Sequence, residues 1–445
     1  MKKRYIIFGG AIVATILATA PLCATGGYHR QGNGGKEDKA TVYVDTADVD
    51  SVVVDASAGG DDDEVSSSIA AADTLPWPEN VVGRIEEIFD KTTIFNTSMV
   101  GMKIYDLTAD STIYERNAQQ LLRPASTLKM MVAVAALDRL GADYQFQTSV
   151  AYTGSVDSLS LNGDIYCKGG FDPTLANDDV SCFADSIKAL GIDTIRGDVF
   201  LDMTMKDKDR LGEGWCWDDD NPMLSPLVVG RKDNFGERLM KRLRQRGIMV
   251  TGECKEKSMP ASAHTICTKL TALPTVMHRQ LKRSDNLYSE AIFYQLAADA
   301  AGRGKTATAK YGRQAMNRLV SRLGFKPSAY YIADGSGLSL YNYVSPELEV
   351  AFLRYAYQHT DIYNTLRECL PIAGVDGTLD DRMTHGAACG NVRAKTGTVT
   401  GISSLAGYCT AANGHVLCFS IINTGIRYSS SGKNFQNKVC QALCK

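Results

Sequence analysis

Apolar residues recur with helical or strand period through most of the chain, and the changes of period mark its organisation. Residues 99–107 alternate as a strand, and Ile113-Tyr114 reads as its hairpin partner across the turn at 108–111. Ser126 opens an apolar helix over residues 128–140 that Gly141 stops. From about Tyr144 to Glu253 short strands and turns prevail, with turn signals at Asn162-Gly163, Gly169-Gly170 and Gly197-Asp198. Two helices interrupt that stretch, 180–190 and 235–246; the second carries Phe235, Leu239 and Leu243 on one stripe before Gly247. Helical period returns over 287–301, 311–323 and 347–359, the last with Ser345 as N-cap and Pro346 at its first position. The end reads as strands at 391–396, 404–409 and 416–422, followed by a helix through Val439. Residues 416–422 are apolar almost throughout, as in a central strand covered on both faces. The pattern predicts an α/β unit assembled from both chain ends, with a β-rich insertion of roughly a hundred residues between them.

The first residues carry another signature. Lys2, Lys3 and Arg4 form a positive head, residues 6–20 are apolar, and small residues at Ala20 and Ala24 offer cleavage points. This is the layout of an export signal over residues 1–24. The run falls short of the ~20 apolar residues of a stable span, and an uncleaved anchor is the alternative. Leu22 is larger than the small residue that usually precedes a lipidated cysteine, so lipidation at Cys23 is not expected. Residues 25–80 read as an acidic disordered linker: between 31 and 80, twelve Asp and Glu face only Lys36 and Lys39. The expected location is the periplasm or cell envelope, with peripheral association.

Composition narrows the partners. The 445 residues are 44% hydrophobic and 22% charged, an ordinary globular balance. The 48 basic and 50 acidic residues leave a formal charge of -2, and no Lys/Arg-dense stretch offers a face for nucleic acid. The twelve cysteines include no CxxC and no Cys/His set at zinc spacing, so neither a metal nor another cofactor is expected. If Asn413-Gly414 is a two-residue hairpin turn, Cys409 and Cys418 face each other, as a disulfide or as two buried thiols.

Three motifs carry chemistry in one order: Ser126-Thr127-Leu128-Lys129, Ser284-Asp285-Asn286 and Lys395-Thr396-Gly397. Decoys exist at Ser430–Lys433 and at Ser160–Asn162, but the first lies in a Ser/Gly loop and the second in a hairpin turn. Ser126 starts a helix, which puts Lys129 one turn on and on the same face. A serine hydroxyl needs a base, and a lysine can serve only when neutral, through desolvation or a neighbouring cation such as Lys395. This set is the one used by serine β-lactamases and penicillin-binding proteins. The six histidines form no constellation for a triad, and Gly335-Ser336-Gly337 is not a nucleophile elbow.

Longer stretches sharpen the reading. They are Arg123–Lys129, Gly169-Gly170-Phe171-Asp172-Pro173-Thr174-Leu175, Gly214-Trp215-Cys216-Trp217, Ser284-Asp285-Asn286-Leu287-Tyr288-Ser289-Glu290, Asp334-Gly335-Ser336-Gly337-Leu338-Ser339, Asp376-Gly377-Thr378-Leu379 and Ala394-Lys395-Thr396-Gly397-Thr398. Together they resemble the D-alanyl-D-alanine carboxypeptidase/endopeptidase family of class C low-molecular-mass penicillin-binding proteins, peptidase family S13. The resemblance implies a serine β-lactamase/transpeptidase-like α/β domain, an antiparallel sheet flanked by helices, over 81–146 and 254–445. It implies an accessory domain at 147–253, shortened near Asn234 relative to the family. By resemblance Ser126 is the nucleophile, Lys129 the acylation base, Ser284 the relay to the leaving amine and Asn286 the holder of Lys129 and a substrate carbonyl. Lys395 and Thr396 bind the terminal carboxylate, Gly397 gives clearance, and the backbone N–H groups of Ser126 and Thr398 form the oxyanion hole.

The implied substrates are peptidoglycan peptides ending in D-Ala-D-Ala, with β-lactam antibiotics as inhibitors. Leu340 stands where members commonly carry an arginine that meets the peptide side chain, which opens the side-chain preference. Two other readings remain. A β-lactamase would need a carboxylate to activate water, with Glu347 and Glu349 the acids to test. A penicillin-binding sensor would acylate without turnover.

Overall fold

A computed structural model describes residues 76–216 and 221–445, with the backbone of residues 4–7. After β1 (Arg4–Ile7) and α1 (Glu79–Asp90), the hairpin β2 (Met99–Asp106) and β3 (Ser111–Arg116) leads into α2 (Leu128–Leu140). Short strands follow: β4 (Gln145–Tyr152), β5 (Ser155–Asp157), β6 (Ser160–Asn162) and β7 (Ile165–Lys168). Then come α3 (Asn177–Lys188), β8 (Thr194–Ile195), β9 (Val199–Asp202), α4 (Phe235–Gln245), β10 (Met249–Val250), β11 (Cys254–Glu256) and the long β12 (His264–Ala272). Five helices succeed it: α5 (Leu273–Lys282), α6 (Asn286–Ala301), α7 (Ala309–Arg322), α8 (Pro346–Gln358) and α9 (Thr360–Cys369). The chain ends on β13 (Arg393–Val399), β14 (Ile402–Thr410), β15 (Val416–Thr424) and α10 (Ser429–Cys444).

Both ends of the folded chain build one antiparallel sheet in the order β13-β14-β15-β2-β3. Strand β15 shows why two helical layers are needed. Its Leu417, Phe419 and Ile421 pack with Phe89 and Ile85 of α1 and Phe435 and Val439 of α10. Cys418 points the other way, into the cluster that holds α2, α6 and α8. A strand apolar on both faces has to be covered on both. Helix α2 is buried from Leu128 through Leu137, so it has no polar face and sits inside the helical layer. Strand β13, which carries Lys395, is left on the sheet edge and packs against the turn before α2.

The strands between β4 and β12, with β1, form two further sheets, β1-β12-β4-β7-β9-β11 and β10-β8-β6-β5. Their core gathers Val150, Ile165 and Val199 with the α3 and α4 faces, including the Phe235, Leu239 and Leu243 stripe. Strand β12 pairs with β4 along residues 264–272, so this sheet reaches beyond Glu253, where the sequence pattern places its end. Near the start of the chain the backbone of Arg4–Ile7 lies antiparallel to β12. The rest of residues 1–24, where the sequence pattern places an export signal, and the acidic stretch up to residue 75 lie outside the described residues.

One register expectation is corrected. Cys409 pairs with Leu417, and Cys418 with Tyr408. The loop is one residue longer than the Asn-Gly signal implies, closed by Ala411 N–H to His415 O, with Gly414 at φ +85°. A one-residue change of register turns a side chain to the opposite face. Cys409 therefore joins Cys440 and Cys444 on the α10 side while Cys418 faces α8, and both are free thiols.

Candidate active site

Ser126 lies in a single 3₁₀ turn, Ala125–Thr127, from which α2 continues. Ala125 is held at φ +49°, a left-handed conformation that costs an alanine of order 1–3 kcal/mol and persists only where its surroundings impose it. Two glycines do the imposing. A Cβ on Gly337 would sit 1.9 Å from Ala125 O, and one on Gly397 would sit 2.9 Å from Ser126 N and 2.2 Å from Ser404 Oγ. Only hydrogen fits on either side of the turn. A side chain at Gly397 is thus excluded by the Ser404 hydroxyl and by the backbone of Pro124 and Ser126.

Lys129 is fully buried beside Ser126. Its Nζ donates to Ser126 Oγ at 2.8 Å, to Asn286 Oδ1 at 2.7 Å and to the Ser336 carbonyl at 2.7 Å. Burial lowers its pKa to about 8, against the upward pull of Asp334, Glu290 and Asp285. Loss of one proton has a defined geometric outcome. The Ser336 carbonyl can only accept, and Asn286 Oδ1 likewise, so the two remaining N–H groups stay on them. The lone pair then faces Ser126, whose hydroxyl must donate.

The second motif joins both lysines. Ser284, at φ +56°, accepts from Lys395 Nζ at 2.8 Å, while Asn286 two residues on accepts from Lys129. Asp285 between them is structural: it caps α6 through Leu287 N–H and is bound by Arg231 and Arg279. Lys395 is fully buried and also donates to Thr396 O at 2.7 Å. The Thr396 hydroxyl lies 2.7 Å from that of Thr378. Thr398 is exposed on the edge strand. Hydrogen bonds thus join Ser126, Lys129 and Asn286 in one set and Ser284 and Lys395 in another, the two sets linked by the Ser284-Asp285-Asn286 backbone, with Thr396 to Thr398 alongside on β13.

Carboxylates that the motifs do not single out support this constellation. Asp334 is 1% exposed and accepts from Gly337 N, Ser339 N, Asn342 Nδ2, Trp215 Nε1 and Ser336 Oγ. It shapes the loop that offers the Ser336 carbonyl to Lys129. Trp215 therefore ties the insertion to this loop. Glu290 accepts from Gly335 N, and burial raises its pKa to about 8. Glu347 pairs with Lys103, and Glu349 is buried against Thr127 and Ser420; neither bonds to Ser126 or Lys129. The decoy Ser160–Asn162 is strand β6 of the insertion, and Ser430 lies in α10. Leu340 is 46% exposed beside the Asp334 loop.

Comparison with known proteins follows the same lines. Residues 81–229 and 223–444 match the family model for the D-Ala-D-Ala carboxypeptidase 3 (S13) family. A D-alanyl-D-alanine carboxypeptidase of an Actinomadura species is 27% identical over 422 residues, spanning 73% of this chain and 77% of that protein. Penicillin-binding protein 4 of Haemophilus influenzae superposes with a TM-score of 0.75 at 22% identity, covering 81% of this chain and 99% of that one. The same protein has been solved with a novel β-lactam, with a TM-score of 0.68. A predatory peptidoglycan endopeptidase of Bdellovibrio bacteriovorus superposes at 0.54 and 17% identity over 78% and 92% of the two chains. The fold is the expected one, an antiparallel sheet flanked by helices.

Proposed function

Because the chain belongs to the D-Ala-D-Ala carboxypeptidase 3 (S13) family, we propose that it is a serine-type D-Ala-D-Ala carboxypeptidase that acts on peptidoglycan stem peptides and is acylated by penicillins. The observation that carries this is the three-way hydrogen bonding of buried Lys129, which reserves its lone pair for Ser126. With a pKa near 8, making this lysine neutral at pH 7 costs about 1.4 kcal/mol, against about 5 for an unperturbed one.

Ser126 Oγ attacks the carbonyl of the penultimate D-Ala as its proton passes to Lys129 Nζ. The backbone N–H groups of Ser126 and Thr398 take the developing oxyanion. Ser284, hydrogen-bonded to Lys395, relays the proton taken up by Lys129 to the departing amine of the last D-Ala, which leaves Lys129 neutral again. Water then cleaves the Ser126 ester, with Lys129 as the base. Lys395 and Thr396 receive the terminal carboxylate. In a β-lactam the leaving nitrogen stays tethered to the acyl group. An endopeptidase reaction differs only in the amine that leaves, a cross-linked peptide instead of free D-Ala. The positive head and apolar run at residues 2–20 support action outside the inner membrane.

The test uses a D-Ala-D-Ala peptide and a penicillin on the purified protein, following D-alanine release and the lifetime of the acyl adduct. Mass spectrometry is expected to find the adduct on the peptide containing Ser126. An adduct on Ser430, or none on folded protein, refutes the assignment. Rapid penicillin turnover would favour the β-lactamase reading.

A further inference from the structure

Four oxygen–oxygen contacts behind the nucleophile turn are short enough to require a proton each. Thr127 Oγ1 lies 2.7 Å from Pro124 O and 2.6 Å from Glu349 Oε1. Ser404 Oγ lies 2.6 Å from Pro124 O, and Ser420 Oγ lies 2.7 Å from Glu349 Oε2. The hydroxyls of Thr127, Ser404 and Ser420 bring one proton apiece, and a proline carbonyl brings none. Three protons cannot fill four contacts. Thr127 cannot donate to both of its neighbours, so the missing proton belongs on Glu349 Oε1.

We propose that Glu349 is a positioning residue that works as a neutral carboxylic acid. Its O–H donates to Thr127 Oγ1, Thr127 donates to Pro124 O, and Ser420 donates to the other carboxyl oxygen. Pro124 O, also bound by Ser404, is thereby braced from α8 on one side and β14 on the other. Braced in this way, the carbonyl helps hold Ala125 at its left-handed φ and sets the direction of Ser126 Oγ. The inference rests on Ser126 being the nucleophile.

The surroundings agree. Glu349 is completely buried, and desolvation raises its pKa to about 7. The charged groups on the elements packed around it are engaged elsewhere. Lys103 on β2 binds Glu115 and Glu347. Lys129 on α2 binds Ser126, Asn286 and Ser336, and Lys395 on β13 binds Ser284. The other buried acids of the region lie beyond Lys129: Glu290 on α6 binds Gly335 N, and Asp334 binds its own loop. Glu349 forms no ion pair among the described residues, and burial outweighs the hydroxyls of Thr127 and Ser420 that favour its anion.

Infrared difference spectroscopy on the intact protein reads the protonation directly. The wild type minus Glu349→Gln difference below neutral pH is expected to show the carbonyl stretch of one buried carboxylic acid, the band of Glu290 being common to both proteins and cancelling. Ser420→Ala, which keeps the carboxyl but frees its carbonyl oxygen, should move that band to higher frequency. The kinetic readout is the rate of acylation by a fluorescent penicillin, with the adduct mapped to Ser126. A glutamine can donate its amide N–H to Thr127 and accept from Ser420, so Glu349→Gln should stay within about threefold of wild type. Glu349→Ala can do neither and should fall by about tenfold or more. A missing acid band, or a glutamine variant as slow as the alanine one, overturns the proposal. Should Ser126 prove not to be the nucleophile, the adduct map reports that separately, and the infrared band still decides the charge state.

Discussion

Asp334 lies outside the three catalytic motifs, yet its replacement by asparagine tests how the site is held. Its Oδ1 accepts from Gly337 N at 2.8 Å and Asn342 Nδ2 at 2.8 Å. Its Oδ2 accepts from Ser339 N at 2.7 Å, Trp215 Nε1 at 2.8 Å and, at 3.3 Å, Ser336 Oγ. An amide keeps one acceptor and turns the other oxygen into a donor. Whichever way it is flipped, at least two buried donors meet an NH2 group. Asn342 cannot relieve this by rotating, because its oxygen accepts from Ala333 N at 2.8 Å. A stranded buried donor costs about 1–3 kcal/mol, so Asp334→Asn should lose ~2–6 kcal/mol, a large part of a typical folding free energy. The substitution also removes a negative charge that raises the Lys129 pKa. That pKa should fall further below about 8, moving the acid limb of the acylation profile to lower pH. The plateau should drop as the Ser336 carbonyl and Gly337 shift. Urea denaturation and penicillin acylation rates across pH measure both effects. A variant as stable as wild type, or an acid limb moved to higher pH, would refute the account of this loop.

Two further outcomes are expected. Lys395→Met should lower kcat/KM for D-Ala-D-Ala peptides by at least about tenfold, while a C-terminally amidated peptide, poor already, loses much less; equal losses would exclude carboxylate recognition as the primary role. The raised pKa of Glu349 means that the folded chain holds a proton the unfolded chain gives up between about 4.5 and 7, so stability should fall as pH rises through that window, by about 3 kcal/mol in all. Glu349→Gln should reduce the slope in this window to the part contributed by Glu290, and an unchanged slope would mean that Glu349 does not contribute.

The elements legible in the sequence are those with one clear period and a visible stop. Helix α2 ends at Gly141, which leaves at φ +81°, and α8 starts at Ser345, whose hydroxyl accepts from Leu348 N–H. Helices α5 and α9 are hidden in the sequence for physical reasons. Helix α5 buries Leu273, Val276, Met277 and Leu281 at helical spacing, but it follows β12 without a break and has no polar N-cap. Helix α9 buries only Ile362, Leu366 and Cys369, a stripe that merges with the end of α8. The β14–β15 register is ambiguous in the sequence because Asn413-Gly414 fits two loop lengths, and the choice depends on which face of β14 meets α10. Packing, which the local sequence does not contain, makes that choice.

The candidate site divides in the same way, and the dividing principle is locality. Ser126 and Lys129 are three positions apart on one helical turn, so their contact follows from helix geometry and was readable at once. The contact of Lys129 with Asn286 spans 157 positions and was available only through family resemblance. That of Thr127 with Glu349 spans 222, and no motif marks it. The sequence does supply the acid, and Glu349 in a capped, amphipathic helix looks like any other partly buried glutamate. What makes it specific is a count of donors and acceptors around one proline carbonyl, and that count exists only once β14, β15, α2 and α8 have been brought together. A group whose charge is set by the number of protons its neighbours lack cannot be recognised from its own position in the chain. The same reasoning separates the two glutamates of α8. Glu347 meets a lysine, whereas Glu349 meets only hydroxyls and has to keep its proton.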